Sequence, residues 1–146
     1  MDAPLTLAAL LAEAEELIER LEPRAAHAAA AAGALVVDTR SSDARVRDGV
    51  VPGALHVPRT VLEWRFAPDS EWRSPHVDGL DRHVVVLCDH GCSSVLAAAT
   101  LARLGYSRVG DVIGGFEAWR AAGLPVGAAP PVDPWSVPGL GDPDPV

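Results

Sequence analysis

The chain has 146 residues, enough for one domain with a sizeable core, and 49% of them are apolar. Its formal charge is -8, because 20 acidic residues outnumber 12 arginines and there is no lysine. An acidic chain without a basic run is a poor match for nucleic acid or for a membrane surface. A small anionic substrate is not excluded, since it needs only a local positive pocket.

The amino-terminal segment, residues 1–22, predicts one amphipathic helix. Thr6 can cap it, and leucines and alanines recur at helical spacing as far as Leu21, with glutamates on the opposite face. Glu13 and Glu15 interrupt the apolar residues, so we expect neither a signal peptide nor a membrane span. The apolar stripe exceeds what a free surface helix needs. The helix is therefore expected to pack either on its own domain or against a second copy, as a homodimer.

Strands and helices alternate over residues 23–126. Short apolar runs predict strands at 34–38, 55–57, 83–87 and 108–112. Helical patterns predict helices at 24–32, 42–48, 60–66, 94–104 and 116–122, and a loop at 67–82. Because each strand is almost continuously apolar, the pattern favours an α/β domain with a parallel central sheet and helices on both faces.

The remaining segment, residues 127–146, is rich in proline, glycine and aspartate. This composition predicts a poorly ordered tail, or one draped over the surface with Trp135 pinning part of it. The other tryptophans, Trp64, Trp72 and Trp119, are expected to be packing residues rather than a ligand cage, with Trp119 against the sheet.

A cysteine stands where a buried strand is predicted to end. The apolar run 84–87 stops at Cys88, a polar loop containing Gly91 follows, and an alanine-rich helical pattern begins near Ser94. Ligands of open parallel sheets bind outside the carboxyl ends of the strands. A helix start also presents free N–H groups and a positive dipole end, which favour thiolate over thiol. Cys88 is therefore the candidate nucleophile, and the alternative is an inert buried cysteine.

The second cysteine, Cys92, lies in the same loop. Two cysteines four residues apart cannot link distant parts of a secreted fold, so a reducing cytoplasm is the simpler setting. Two cysteines without clustered histidines also do not predict a zinc site. Cys92 either fills the loop or acts as a resolving thiol, which forms a disulfide with Cys88 or accepts its sulfur.

The chain resembles the rhodanese-like family between roughly Pro23 and Pro125. The motifs that carry the resemblance follow one another at ordinary spacing. They are the strand exit Asp38-Thr39-Arg40, the turn Gly49-Val50-Val51-Pro52-Gly53-Ala54 with Pro58, the loop Cys88-Asp89-His90-Gly91-Cys92-Ser93-Ser94, and Gly114-Gly115-Phe116-Glu117-Ala118-Trp119 with Gly123-Leu124-Pro125. The resemblance implies a rhodanese-like domain over 23–126.

The resemblance also implies sulfur transfer. Cys88 would take a sulfur atom from a small anionic donor such as thiosulfate and pass it, as a persulfide, to a thiol or cyanide-like acceptor. No metal or organic cofactor is implied. The amides of the loop would surround the sulfur, and they belong to Asp89, His90, Gly91, Cys92, Ser93 and Ser94. Gly91 would let the backbone curl without a Cβ clash.

The loop departs from the family at one position that bears on the substrate. The family usually carries an arginine just before the serine that opens the helix, and Ser93 stands there in this chain. That arginine resembles an anchor for anionic donors. Since Asp89 makes the loop acidic, we hypothesise that Arg59 or Arg65 reaches the pocket and supplies the missing positive charge.

Other functions stay open. The missing arginine also fits a non-catalytic or regulatory binding module of the same fold. The two thiols suit a redox switch, although there is no C-x-x-C motif. A phosphatase is disfavoured, because such enzymes need a loop arginine and positions 93 and 94 are both serine. Asp38 and Arg40 are interpreted as structural, and His90 as a solvated loop residue.

Overall fold

The computed structural model describes residues 3–131 and has a five-stranded, all-parallel sheet at its centre. The strands lie in the order β1-β5-β4-β2-β3. Their bounds are β1 Glu19–Leu21, β2 Leu35–Asp38, β3 Leu55–His56, β4 Val84–Leu87 and β5 Val109–Val112. The helices are α1 Leu7–Glu15, α2 Pro23–Ala31, α3 Ser42–Asp48, α4 Leu62–Phe66, α5 Ser93–Arg103 and α6 Gly115–Ala121, with a 3-10 turn at Arg59–Val61.

The central strands are apolar because both of their faces are covered. Every residue of β2 and β4 is buried. Since successive side chains of a strand point to opposite faces, Val84 and Val86 pack with α4 and α5 on one side. Val85 and Leu87 pack with α2 and α6 on the other. The predicted α/β architecture, a parallel sheet between two helical layers, is confirmed.

The amino-terminal prediction is wrong in one part. The helix predicted to continue to about Leu21 ends at Glu15, and Glu19–Leu21 instead forms the edge strand β1, paired with β5. The backbone of β5 would otherwise offer unpaired N–H and C=O groups along that edge, and β1 satisfies them. This tertiary pairing outweighs the local helical pattern.

Helix α1 packs on its own domain. Thr6 caps it as predicted, by accepting a hydrogen bond from the Ala9 amide at 3.1 Å. Its buried residue, Ala14, contacts Val95 and Ala99 of α5. The helix therefore covers α5.

A buried ion cluster supports the exit of β2. Asp38 accepts hydrogen bonds from the main-chain amide and the guanidinium of Arg40, and from Arg45. The Arg40 guanidinium also lies 3.8 Å from the ring centre of Phe116. His56 completes the cluster, with Nε2 2.7 Å from the Arg40 carbonyl oxygen. These contacts give Asp38 and Arg40 the structural role predicted for them.

The tryptophans divide into two groups. Trp119 is buried against the sheet, as predicted, and its indole N–H donates to the Pro125 carbonyl at 2.8 Å. Trp64 and Trp72 are 55% and 51% exposed, so the packing interpretation is wrong for them. Trp135 and most of the predicted tail lie outside the described residues, while Gly127 pairs with Val50 in an isolated bridge.

Candidate active site

Cys88 follows the last residue of β4, at the carboxyl end of the central strand, and α5 begins at Ser93. The side chain is only 5% exposed. Its sulfur is nevertheless hydrogen-bonded, because the Gly91 amide donates to Sγ at 3.1 Å. A buried thiol that receives main-chain donors differs from an inert core cysteine, and the predicted placement of Cys88 is confirmed.

The surroundings of Cys88 favour its ionised form. Burial raises the pKa of the Cys88 thiol, but hydrogen bonds from the hydroxyl and amide of Ser94, the hydroxyl of Ser93 and the amide of Gly91 lower it by more. The pKa therefore lies below the ordinary value of a cysteine. Since the thiolate is the nucleophile, a lowered pKa increases the reactive fraction near neutral pH.

The Ser94 hydroxyl has two acceptors within reach. It has one proton, and its oxygen lies 2.8 Å from Oδ2 of Asp111, a fully buried carboxylate. In this geometry the proton points to Asp111, so the amides of Gly91 and Ser94 are the standing donors to the sulfur.

Helix α6 fixes the back of the cysteine loop. The amide of Phe116 donates to the Cys88 carbonyl at 2.8 Å, and that of Glu117 donates to the Asp89 carbonyl at 3.1 Å. Gly91 adopts φ +82°, and a Cβ there would lie 2.5 Å from the Gly114 nitrogen. Only glycine lets the loop approach α6 this closely, as predicted for Gly91.

The outer side of the loop is charged and open. His90 is mostly exposed, and its Nδ1 lies 2.6 Å from Oε2 of Glu117, which is exposed as well. Both line a cavity of about 310 Å³ together with Arg47, Asp48, Asp89, Phe116 and Arg120. This cavity lies beside the Cys88 loop and mixes both signs of charge.

The two arginines predicted to replace the missing loop cation take different positions. The amide of Arg59 donates to the Thr39 carbonyl at 3.3 Å, while its guanidinium pairs with Glu63 at 3.0 Å. Arg65 is buried and donates to the Trp72 carbonyl at 2.5 Å. Neither of these side-chain hydrogen bonds goes to the cysteine loop.

Sequence reasoning missed two charged residues beneath the loop. Arg20 of β1 pairs with Asp111 of β5 through Nε and Nη2, at 2.9 and 3.0 Å. The same Nη2 donates to the Gly91 carbonyl at 2.9 Å. The available signal was an aspartate inside the apolar run 109–112, since a buried charge requires a partner.

Comparison with known proteins places this site in a family. The model of the rhodanese-like domain matches residues 13–122. The chain belongs to the rhodanese-like family. The match begins ahead of the predicted domain start at Pro23 and takes in the whole of β1.

Bacterial relatives of this rhodanese-like chain are named as sulfurtransferases. The thiosulfate sulfurtransferase GlpE of Stutzerimonas stutzeri is 37% identical over 102 residues, which is 70% of this chain and 84% of the relative. A sulfurtransferase of Allochromatium vinosum is 35% identical over 92 residues, 63% of this chain and 77% of the relative.

Solved structures share the rhodanese-like fold. A Rhodopseudomonas palustris protein, described as of unknown function and a possible tyrosine phosphatase, superposes with a TM-score of 0.76 at 35% identity. The overlap covers 86% of this chain and 99% of that one. The polysulfide-sulfur transferase homodimer of Wolinella succinogenes has a TM-score of 0.68 at 24% identity, covering 83% and 86% of the two chains.

Cys88 and Cys92 are both free thiols in this rhodanese-like domain, Cys88 buried and Cys92 exposed. Among residues 3–131, no three His, Cys, Asp or Glu side chains are grouped so that they could hold a metal ion. Within the same range, none of the helices has the length and apolar character needed to cross a bilayer.

Proposed function

We propose that this chain is a sulfurtransferase that carries a sulfane sulfur on Cys88. The Cys88 thiolate attacks the outer sulfur of a donor such as thiosulfate. The donor S–S bond breaks, and sulfite leaves with the bonding electron pair. A thiolate or cyanide acceptor then attacks the outer sulfur of the persulfide, and the Cys88 thiolate is regenerated. The observation that carries this proposal is the Cys88 sulfur at a strand end, hydrogen-bonded by the Gly91 amide.

The protein supplies this chemistry with an environment for negative sulfur. A helix start stabilises a nearby anion by about 0.3–1 kcal/mol, whereas one pKa unit corresponds to about 1.4 kcal/mol. The dipole of α5 therefore accounts for less than one unit, and the hydrogen bonds from Ser94, Ser93 and Gly91 must account for the remainder. The same donors suit a persulfide, which is also an anion.

The donor is proposed to bind against the outer face of the loop. The loop residues concerned are Asp89, His90, Gly91, Cys92, Ser93 and Ser94. Arg59 and Arg65 are proposed as the cations that compensate for Ser93, with Arg59 the more accessible of the two because Arg65 is buried. A reducing compartment such as the cytoplasm keeps both thiols free.

Intact-mass spectrometry tests the proposal directly. After incubation with thiosulfate and removal of the donor, the protein is expected to gain the mass of one sulfur atom, which peptide mapping places on Cys88. Addition of cyanide should then remove that mass and release thiocyanate. The Cys88→Ser variant should neither gain mass nor form thiocyanate.

The matched control is Cys92→Ser, which keeps Cys88 and should still gain the sulfur. Thiocyanate formation by Cys88→Ser at the rate of the unaltered protein would contradict the proposal. Hydrolysis of p-nitrophenyl phosphate that depends on Cys88, without sulfur loading from any donor, would instead favour a phosphatase. Binding of a partner through the loop without either reaction would favour a non-catalytic module.

A Cys88/Cys92 redox switch is the second candidate, and the observation that favours it is the exposure of Cys92 in the same loop. In that role the Cys92 thiolate attacks the inner sulfur of the Cys88 persulfide, and hydrosulfide leaves as the disulfide forms. Loaded protein that loses its added sulfur and two hydrogens without an acceptor would support this role. Loaded protein that stays unchanged would count against it.

A further inference from the structure

A partly buried ion pair joins the first strand in the chain to the last. Arg20 and Asp111 are register partners on the parallel strands β1 and β5. Register partners on neighbouring strands point to the same face of a sheet, so the two side chains meet. The Arg20 guanidinium donates hydrogen bonds to both carboxylate oxygens of Asp111, at 2.9 and 3.0 Å. Asp111 is fully buried, whereas the Arg20 side chain is 28% exposed.

Both members of this pair reach a residue that contacts the Cys88 sulfur. Arg20 donates to the Gly91 carbonyl at 2.9 Å, and the amide of the same Gly91 donates to Sγ of Cys88 at 3.1 Å. Asp111 accepts from the Ser94 hydroxyl at 2.8 Å, and Ser94 is one of the residues whose hydrogen bonds favour the thiolate. The pair therefore holds two of the groups that surround the sulfur.

We infer that Arg20 is a positioning residue for Cys88, which holds the loop through the Gly91 carbonyl so that the Gly91 amide faces the sulfur, and which neutralises the Asp111 carboxylate beneath the loop. The inference rests on the proposed role of Cys88 as nucleophile and extends it to the amino-terminal strand. Arg20 makes no contact with a reacting atom. Its effect is to hold the loop and to neutralise Asp111.

The charges explain why Arg20 should matter to the sulfur. The hydrogen bond to Asp111 raises the pKa of Arg20 against the effect of burial, and the charges of Asp111, Glu15 and Cys88 raise it further. Linkage is reciprocal, so the Arg20 cation also favours the Cys88 thiolate. Without it, the buried Asp111 carboxylate would face the thiolate with no compensating charge.

The other ionisable groups around Cys88 lie on the outer side of the loop. They include Asp89, His90 and Cys92 in the loop itself, Glu117 and Arg120 on α6, and Arg47 and Asp48 on α3. The variants described next leave all of these groups in place, so a change in the titration of Cys88 is assigned to the ion pair beneath the loop.

The test is the pH dependence of Cys88 alkylation by iodoacetamide. Peptide mass spectrometry reads Cys88 separately from Cys92. Arg20→Gln should raise the apparent pKa of Cys88 by about one unit. At a pH below the Cys88 pKa of both the original protein and the variant, alkylation should then slow about tenfold. Asp111→Asn removes the negative charge, keeps an oxygen for Ser94 and leaves Arg20. It should shift the profile the opposite way, to lower pH.

Opposite shifts distinguish positioning from general support of the fold. If the pair only stabilised the fold, both variants would loosen the loop and change the profile in the same direction. Arg20→Lys should raise the apparent pKa of Cys88 by less than Arg20→Gln does, because lysine returns the positive charge without the two-pronged geometry. The matched control is Arg24→Gln, which removes an exposed arginine of α2 that donates to the Ala122 carbonyl. It should leave the profile unchanged.

Circular dichroism reports whether each variant is folded. Should Arg20→Gln fail to fold, the double variant Arg20→Gln/Asp111→Asn avoids an unpaired buried carboxylate. The apparent pKa of Cys88 in the double variant should then be higher than in Asp111→Asn alone. A folded Arg20→Gln with an unaltered Cys88 profile, or equal shifts in both single variants, would overturn the inference. The titration needs no sulfur donor, so it stands or fails independently of sulfurtransferase activity.

Discussion

A short hydrogen-bonded path connects the backbone of Arg59 with the residue that precedes Cys88. Its amide donates to the Thr39 carbonyl, and the Thr39 hydroxyl donates at 2.8 Å to the carbonyl of Leu87, the residue before Cys88. The Arg59 guanidinium is about one-third exposed and pairs only with Glu63 among the contacts described for it. Exposed ion pairs of this kind contribute about 0.2–1 kcal/mol, so an anionic donor can compete for the guanidinium.

Replacement of Arg59 by alanine should therefore weaken donor binding. We expect Arg59→Ala to raise the KM for thiosulfate several-fold with little change in kcat, because it removes a charge that we propose to contact the donor away from the reacting sulfur. The measurement is cyanolysis at varied thiosulfate concentration. Arg82→Ala is the matched control, since Arg82 forms a similar pair with Asp78 but precedes the opposite end of β4.

Arg65→Ala extends this experiment to the buried arginine. Because Arg65 donates to the Trp72 carbonyl from the interior, its loss should lower the stability of the fold as well as affect the KM. If Arg59→Ala and Arg65→Ala both show the kinetics of the unaltered protein, neither arginine is the donor anchor.

At the scale of elements, the edge strand β1 depends on the absence of a side chain at Gly110. A Cβ on this residue would lie 2.5 Å from the Glu19 carbonyl oxygen, closer than real contacts allow. Gly110 is the register partner of Glu19, one residue before the Arg20–Asp111 pair. An added methyl group would therefore push β1 away from β5 and separate the two charges.

Gly110→Ala should reduce stability and impair the site together. We expect the free energy of unfolding to fall by about 1–3 kcal/mol, typical of overpacking, and the apparent pKa of Cys88 to rise. Urea unfolding and the alkylation profile measure the two effects. Gly127→Ala is the control, because a Cβ there meets only ordinary contacts of 3.9 and 4.0 Å. A Gly110→Ala protein that matches the original in both assays would refute this account of β1.

The same element shows where prediction from sequence stops. The cysteine loop was predictable because its determinants are local: an apolar strand, a glycine and a helix start within residues 84–94. Strand β1 was not, because its three residues continue the spacing of the preceding helix and only the open edge of β5 decides their conformation. The Arg20–Asp111 pair spans 91 residues, a separation that no local pattern reports.

At the scale of the whole molecule, acid should destabilise the fold through two partly buried histidines. Burial lowers the pKa of His56 from its ordinary 6.5, against a hydrogen bond with the Arg40 carbonyl that raises it. Burial likewise lowers the pKa of His83. A group with a lowered folded pKa supports the native state above its unfolded pKa, and that support is lost as the pH falls toward the folded pKa. The relevant range therefore begins near 6.5 and extends downward.

His56→Gln should make the protein less sensitive to acid. Glutamine keeps an N–H donor for the Arg40 carbonyl but does not titrate. We therefore expect a smaller loss of unfolding free energy between about pH 7 and about pH 5 than in the original protein. Urea unfolding at both pH values measures this loss. His76→Gln, in the loop 67–82, is the control, and an equal loss in His56→Gln and the original would disprove the assignment.

The amino-terminal helix leaves one question of assembly at this scale. After α1 has packed on α5, Leu7 and Leu10 of the helix remain 67% and 40% exposed, and Leu17, just after the helix, remains 49% exposed. Such a row of leucines suits a second copy of the chain, and the homodimer stays a prediction. The Wolinella succinogenes homodimer shares the fold at 24% identity.

The pairing of β1 with β5 also bears on when, during synthesis, the surroundings of Cys88 are complete. Strand β1 is synthesised first and its partner β5 is the last strand to be synthesised. Arg20 therefore cannot pair with Asp111 until β5 has left the ribosome. A nascent chain halted just after Cys88 would contain Arg20 but not Asp111, so the ion pair beneath the cysteine loop could not form. The support that we infer for Cys88 is therefore complete only after β5 has been synthesised.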